Sequence, residues 1–264
     1  VLQDSKILGD KSIVEQQLHT LNASRNIFIY TLTKLVIGYI NYTIQNIDTT
    51  YKNPDSYPVV LDSMFDITEK PEFQTYDLRQ KSIIKLYRHL YLMFSNLGDD
   101  DYYNNYKKYF YEIRDMFTGD FSKTHFNILL NYCHLRNRLN DKGTKFNTEG
   151  LRVLSEYIEN KMYINDNNKY LSPLLYRNFV VGCNIPKTKN ILKRLIENET
   201  INLHTSHRRD MKNFGSAYYY YLNKEYGKAI KCIIELNHPK FMYKYDIRNL
   251  ELKIYFEKKN YIEL

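Results

Sequence analysis

The sequence predicts an all-α protein, arranged as an array of antiparallel helix pairs, and three observations support this prediction. Apolar residues recur every three to four positions over most of the chain, which is the period of a helix with one buried face. Glycine and proline are scarce, with 9 and 6 among 264 residues, whereas an all-β chain needs many turn residues. Finally, one pattern occurs twice near the C-terminus at a fixed separation, as expected for stacked helix–turn–helix units.

The repeated pattern consists of a small or apolar residue, an aromatic residue three positions later, and a second aromatic residue after a polar turn. The two copies are separated by 35 residues and comprise Ala217, Tyr220 and Tyr226, then Leu252, Tyr255 and Tyr261. A unit of this length cannot bury its apolar face alone and must pack on a neighbour. Because Tyr261 would open a second helix close to Leu264, we expect the sequence to be a piece of a longer array.

The first part of the chain differs from the rest and is predicted to be a separate N-terminal helical portion, residues 1–75. Its apolar run at 27–47 contains Lys34 and several amide side chains, so we predict a buried helix and no membrane span. The following stretch, 46–72, contains three of the six prolines and is predicted to be a long loop. The array is then expected to occupy residues 76–264.

Helix boundaries in the array are indicated by capping residues and by the ends of apolar stripes. The stripe from Ile83 to Leu97 predicts a helix that ends at Gly98, and Asp99 to Asp101 can cap a helix over Tyr102–Phe117. Later helix starts are predicted from serine, threonine and proline signals at Ser122, Thr148, Ser172–Pro173 and Pro186. On this reading, the first helices of successive pairs end near Leu97, Leu139, Val181, Leu222 and Glu257.

The segment 216–239 resembles a tetratricopeptide repeat. The similarity lies in the small and bulky positions of the unit, which are occupied by Ala217, Tyr220, Tyr226, Ala229, Ile233 and Pro239. The first-helix tryptophan position is Asn213, and Ala217 stands where a glycine is usual. This resemblance implies a right-handed array of helix pairs whose concave groove binds peptides or partner proteins. Together with the abundance of tyrosine, asparagine, isoleucine and lysine, it suggests a bacterial protein with a non-catalytic scaffolding role.

Positive charge is concentrated in the C-terminal third of the chain. From Lys187 onward, 16 Lys and Arg face 9 Asp and Glu, a net charge of +7, while the chain as a whole carries +8. Such a surface could bind an acidic protein or peptide, and the alternatives are binding to nucleic acid or a lysine-rich composition without function. The candidate partner-binding residues are Arg208, Arg209, Tyr218, Tyr221, Lys228 and Lys231. Of the four consecutive tyrosines, Tyr220 is predicted to lie in the core.

No catalytic, cofactor-binding or metal-binding pattern is found in the sequence. His204 and His207 share a helical face but have no third ligand nearby, and zinc requires three or four. The three cysteines are too few and too far apart for a disulfide framework, which favours a reducing, cytoplasmic location. We therefore expect this segment to lack enzymatic activity, with the alternative that it is the regulatory region of a larger enzyme.

Overall fold

A computed structural model describes residues 2–46, 56–139, 145–165, 169–236 and 243–259. Within these ranges the chain is helical and contains no strand, so the all-α prediction is confirmed. One isolated parallel bridge joins Leu171 and Leu203, where the Leu171 amide donates to the Asn202 carbonyl at 2.9 Å. Two residues of the repeat pattern, Pro239 and Tyr261, lie outside the described residues.

Eleven α-helices occur in the described part of the chain. They are α1 Leu2–Asn46, α2 Ser56–Thr68, α3 Leu78–Ser95, α4 Asp100–Ile113, α5 Gly119–Leu139, α6 Lys145–Glu159, α7 Pro173–Gly182, α8 Lys189–Arg194, α9 Thr205–Leu222, α10 Tyr226–Ile234 and α11 Lys244–Glu257. Short 3₁₀ segments occupy Pro71–Thr75, Arg114–Met116, Pro186–Thr188 and Thr200–Asn202, and Leu195–Glu199 is a π-helical turn.

The chain divides into two compact units, Val1–Thr118 and Gly119–Leu264. α3, which follows the predicted boundary at residue 75, packs against α1 and lies in the first of these units. Tyr39 of α1 meets Tyr91 of α3 with ring centroids 5.4 Å apart, and its hydroxyl accepts a hydrogen bond from Ser95 at 3.2 Å. These contacts join residues on both sides of the predicted boundary into one core.

The apolar run belongs to the helix α1, which is buried along one face only. The buried residues recur at helical spacing and are Ile29, Leu32, Val36, Tyr39 and Ile40. The opposite face is exposed and carries Ile27 and Tyr30. By length and composition alone, Leu18–Gln45 could also cross a membrane, a criterion that core helices of soluble proteins meet as well.

The predicted loop over 46–72 is wrong where the structure describes it, because α2 and the 3₁₀ segment Pro71–Thr75 lie there. The two prolines in the described part of this stretch, Pro58 and Pro71, lie at the starts of helical segments and do not break them. Pro58 is in the first turn of α2 and Pro71 opens the 3₁₀ segment, positions where the missing N–H of proline has no helical partner anyway. Leu61 and Phe65 then bury the apolar face of α2.

Capping residues fix the ends of the helices that follow. Asp77 forms a reciprocal capping box with Gln80 at the start of α3, and Asp99 accepts a hydrogen bond from the Asp101 amide at the start of α4. The predicted caps at Asp99 and Ser172 are confirmed. α4 ends at Ile113, earlier than the predicted end at Phe117. The chain then continues as the 3₁₀ turn Arg114–Met116.

The second unit consists of α5 to α11, and one continuous apolar core joins α6 to α11. Its fully buried aromatic residues include Tyr176, Phe179 and Phe214, which come from α7 and α9. Consecutive helices pack against each other in the pairs α5–α6 and α9–α10, and α7 packs against α9. The sequence analysis places the starts of two helices too late along the chain. α5 begins at Gly119, not at Ser122, and α6 begins at Lys145, not at Thr148.

The predicted ends of the first helices agree with the structure to within two residues. Those helices are α3, α5, α7, α9 and α11, and they end at Ser95, Leu139, Gly182, Leu222 and Glu257. The region after Pro186 departs from a simple helix, because α8 has six residues and continues into the π-helical turn. The intervals between helix ends could therefore be read from sequence, while the form of the connecting segments could not.

Candidate binding clefts

Two of the predicted partner-binding residues, Arg208 and Arg209, lie in the first half of α9. The Arg208 side chain is half-buried, and its Nε donates to the Leu203 carbonyl at 2.8 Å. Arg209 is exposed. With a rise of about 1.5 Å per residue, Arg208 lies roughly 18 Å along α9 from Tyr220, so these arginines are not grouped with Tyr220.

The tyrosines of α9 are arranged differently from the prediction. Tyr218, not Tyr220, is the buried member, and its hydroxyl donates to the Asp246 carbonyl at 3.3 Å. Burial raises the pKa of Tyr218 above its ordinary value. Its ring is part of the core and is closed to a partner in this structure. Tyr221 is half-buried and contacts the Tyr226 ring with centroids 6.1 Å apart.

The two predicted lysines, Lys228 and Lys231, are exposed on α10. Lys228 forms an ion pair with Glu225, and its Nζ lies 5.4 Å from the centre of the Tyr220 ring. The ion pair is the main cause of the raised pKa of Lys228. The structure thus brings Lys228 to Tyr220, while Arg208 and Arg209 lie at the other end of α9.

A cleft of about 480 Å³ in the first unit brings together cations that the sequence analysis did not select. Its lining comes from the end of α2, the 3₁₀ segment Pro71–Thr75 and one face of α3. The lining residues are Thr68, Glu69, Phe73, Lys81, Ile84, Lys85, Arg88, His89 and Leu92. We call this the α3 cleft. Its volume lies in the range of pockets that bind small ligands or single side chains of a partner.

The basic residues of the α3 cleft lie on one helical face. Lys81, Lys85, Arg88 and His89 follow the spacing i, i+4, i+7 and i+8, which repeats on one side of a helix. Arg88 forms an ion pair with Glu69 across the cleft. With His89 neutral, three cations and one carboxylate give the cleft a net charge of +2.

The ring of Tyr109, on α4, contacts two of these side chains, Lys85 and His89. The Lys85 Nζ lies 4.6 Å from the centre of the Tyr109 ring, and the His89 ring is 5.4 Å from the same centre. Burial lowers the pKa of His89, and the positive charges of Lys85 and Arg88 lower it further, while Glu112 opposes them. Burial, and to a smaller extent the two neighbouring cations, therefore favour the neutral form of His89.

A second cleft, of about 380 Å³, lies in the second unit between α5, α6 and α7. Its apolar lining consists of leucine and valine side chains, and its polar lining is mainly carboxamide groups. The polar residues are His134, Asn137, Asn147, Arg177 and Asn178. We call this the amide cleft. Its walls approach closely at two glycines, since a Cβ on Gly150 would lie 3.2 Å from the Cys133 Cβ and one on Gly182 would lie 3.0 Å from Leu151 Cδ2.

Arg177 is held in place at the edge of the amide cleft. Its Nε and Nη2 donate to the two carboxylate oxygens of Asp246 at 2.8 and 2.5 Å, and its Nη1 donates to Asn178 Oδ1 at 3.0 Å. The hydrogen bond to Asp246 is the main cause of the raised pKa of Arg177. The bidentate pair balances the charge of Arg177, so hydrogen-bonding amides rather than net charge characterise this cleft.

Groups suited to metal binding or nucleophilic chemistry are few in the described residues. No cluster of three or more His, Cys, Asp and Glu side chains that could hold a metal is found within those residues. The His204 and His207 rings are 6.4 Å apart, and His204 Nδ1 lies 2.8 Å from the Ser206 hydroxyl. Cys183 is buried, and burial raises its pKa to about 12, which disfavours the thiolate.

The signal for the α3 cleft is present in the sequence as the spacing of its basic residues. A count of charge over long regions hides it, because the first 186 residues are nearly neutral. The contributions of Glu69, which lies in the stretch predicted to be a loop, and of Phe73, which directly follows that stretch, could not have been recognised from helical spacing. The amide cleft has no comparable spacing signal. Comparison of the chain with protein-family models, with curated proteins and with solved structures gives no match.

Proposed function

We propose that this chain is a non-catalytic protein-binding module, built from helix pairs that resemble tetratricopeptide repeats, and that the amide cleft holds a segment of its partner. The observation that carries the proposal is the combination of apolar and carboxamide side chains in that cleft. A peptide presents backbone donors and acceptors together with apolar side chains, and carboxamides offer both a donor and an acceptor. Leu154 and Val181, both half-buried, supply apolar contact area beside them.

The geometry of the amide cleft explains why an uncharged surface could still bind selectively. Asn137 and Asn178 come from two different helices, α5 and α7, and both line the cleft. An extended peptide repeats its backbone groups about every 3.3 Å, so it can meet both carboxamides at once. The bidentate hold of Asp246 on Arg177 limits the movement of the adjacent Asn178, which reduces the entropy cost of binding.

A selection of displayed random peptides on the purified chain tests this proposal. We expect selected peptides to lose about thirtyfold in affinity for the double variant Asn137→Ala/Asn178→Ala, because two hydrogen bonds worth about 1 kcal/mol each are lost. The matched control is Asn127→Ala/Asn190→Ala, which removes two exposed asparagines outside the cleft. Equal affinity for both double variants would refute the assignment to the amide cleft.

Binding to nucleic acid is the second candidate, and the net charge of +7 from Lys187 onward favours it. The exposed Arg209, Lys212 and Lys231 are suitable probes, because none of them lines the amide cleft. Reversal of these three charges should abolish binding to single-stranded RNA, and binding by the unchanged protein should fall steeply with salt. Binding that is insensitive to salt would exclude this candidate.

A further inference from the structure

The α3 cleft combines a cationic rim with an apolar floor, in the unit that lies outside the resemblance to helical repeats. Lys81 and Lys85 are exposed on the rim, while Ile84 between them is buried. Leu92 and Phe73 are half-buried and extend the floor. Phe73 is held from behind by the rings of Phe28 and Tyr76, at 5.1 and 4.8 Å between centroids. The floor is therefore shaped by packed side chains.

The spacing of the cations favours several separate negative charges over one compact anion. Lys81 and Lys85 are one helical turn apart, about 6 Å along the axis, and Arg88 lies about 10 Å from Lys81. A single phosphate needs donors that converge on one point, and Arg88 is already paired with Glu69. In an extended chain, side chains two residues apart project to one side about 6.6 Å from each other, which matches the separation of the two lysines.

We infer that the α3 cleft binds an acidic, extended segment of a partner protein. Two of its carboxylates, two residues apart, are followed two residues further on by a bulky apolar side chain that projects to the same side and enters the cleft. The apolar side chain contacts Phe73, Ile84 and Leu92. The carboxylates pair with Lys81 and Lys85, so the positive charge of the cleft favours a negatively charged partner. The inference does not depend on the amide cleft, because the two clefts share no residue.

A dye-labelled peptide that repeats Glu-Ser-Glu-Ser-Leu-Ser is the probe, because it places two glutamates and a leucine on the same side of an extended chain, and fluorescence anisotropy reports its binding. Two further peptides separate the contributions, one with glutamine in place of glutamate and one with serine in place of leucine. We expect the first substitution to abolish binding and the second to weaken it several-fold. Equally tight binding of the serine peptide would overturn the inference, since the apolar floor would then contribute nothing.

The double variant Lys81→Glu/Lys85→Glu should bind the acidic leucine peptide about tenfold more weakly, with a smaller difference at high salt. The matched control is Arg79→Glu/Lys108→Glu, which makes the same change in net charge at exposed positions outside the cleft. An equal loss in both variants would show a response to net charge alone and would refute the site. If reversal unfolds the unit, the neutral pair Lys81→Gln/Lys85→Gln provides the same comparison.

Two further measurements identify the kind of partner and the place of binding. A peptide with a photoreactive group at a leucine position should crosslink to α3 or to Phe73, as identified by mass spectrometry of the fragments. Crosslinking confined to the second unit would overturn the inference. Vesicles containing phosphatidylserine and single-stranded RNA serve as competing ligands. If either binds more tightly than the peptide and depends on Lys81 and Lys85, the partner is not an acidic protein segment.

Discussion

The two compact units place a histidine in very different surroundings. In the second unit His125 is fully buried on α5, and burial lowers its pKa to about 3. In the first unit His89 is half-buried beside the α3 cleft, and its pKa is lowered by burial together with Lys85 and Arg88. Protonation of His125 therefore opposes folding. The pKa of His89 depends instead on the charge of the ligand that binds in the cleft.

The units also differ in how closely their helices approach. In the second unit, glycines at 150, 182 and 215 lie where a Cβ would contact a neighbouring side chain at 3.2 Å or less. In the first unit a Cβ on Gly98 would have nothing within 4 Å, and a Cβ on Gly38 would make an ordinary contact at 3.7 Å. Close packing in the second unit makes it sensitive to small changes in volume, while the first unit offers an open cationic cleft.

The largest expected effect concerns packing in the second unit. Ala229, one of the positions in the resemblance to a tetratricopeptide repeat, is fully buried on α10, which packs against α9. Ala229→Leu should lower the free energy of unfolding by about 1–3 kcal/mol, because the added methylenes overpack the contact. Urea denaturation measures the change, with the exposed Ile234→Leu as the control. A stability equal to that of the parent would show that this contact tolerates expansion.

The next effect separates the two histidines by pH. The folded pKa of His125, about 3, lies below its ordinary value of 6.5, so the unfolded chain takes up the proton first as pH falls. The contribution of neutral His125 to the free energy of unfolding is fully present above about pH 6.5. It is progressively lost as the pH falls toward 3. At pH 5 the loss should be about 2 kcal/mol relative to pH 7.5.

His125→Gln provides the test of this prediction, because it removes the ionisable group while retaining a polar side chain. Its free energy of unfolding should depend less on pH between about 7.5 and 5 than that of the parent, whatever its absolute stability. Urea denaturation at both pH values measures the difference. The same slope in parent and variant would mean that another group dominates the acid sensitivity.

A pair of glycine substitutions compares a closely packed position with an open one inside the second unit. A Cβ on Gly215 would lie 2.8 Å from the Tyr176 hydroxyl and 3.0 Å from Ile196 Cγ1, and both of these side chains are buried. Gly215→Ala should cost about 1–2 kcal/mol, since overpacking exceeds the gain in helix propensity. Gly227→Ala, with nothing within 4 Å, should instead stabilise by about 0.5 kcal/mol. Thermal denaturation measures the change in melting temperature of each variant. Equal changes in the two variants would show that close packing at Gly215 is unimportant.

The smallest expected effect lies in the α3 cleft and rests on the inference made for it. The charged and titratable groups around His89 are Lys85 and Arg88 on α3, Tyr109 and Glu112 on α4, and Glu69 beside the end of α2. Bound carboxylates should raise the pKa of His89, so binding of the acidic leucine peptide should tighten a few-fold from about pH 7.5 to 5.5. His89→Gln should remove this dependence in anisotropy titrations. An unchanged pH profile in the variant would contradict the role of His89.

Features that depend on neighbouring residues in the chain could be predicted from the sequence. The caps at Asp99 and Ser172 and the helix ends near Leu139, Leu222 and Glu257 were predictable because hydrogen bonds and apolar spacing within a few residues decide them. The same local rules failed for α2, where prolines open helical segments instead of ending them. They also failed for Tyr218 and Tyr220, since four consecutive tyrosines point to all sides of α9.

The sequence by itself determined that the chain is helical, where most of its helices end, and that excess positive charge lies toward its C-terminus. Only the tertiary structure decided that α1 and α3 share a core, that Tyr218 is buried, and that Glu69 and Phe73 meet Lys81, Lys85 and Arg88 around one cleft. The physical reason is that helix formation rests on contacts three to four residues apart, whereas a cleft requires side chains from separate elements to converge.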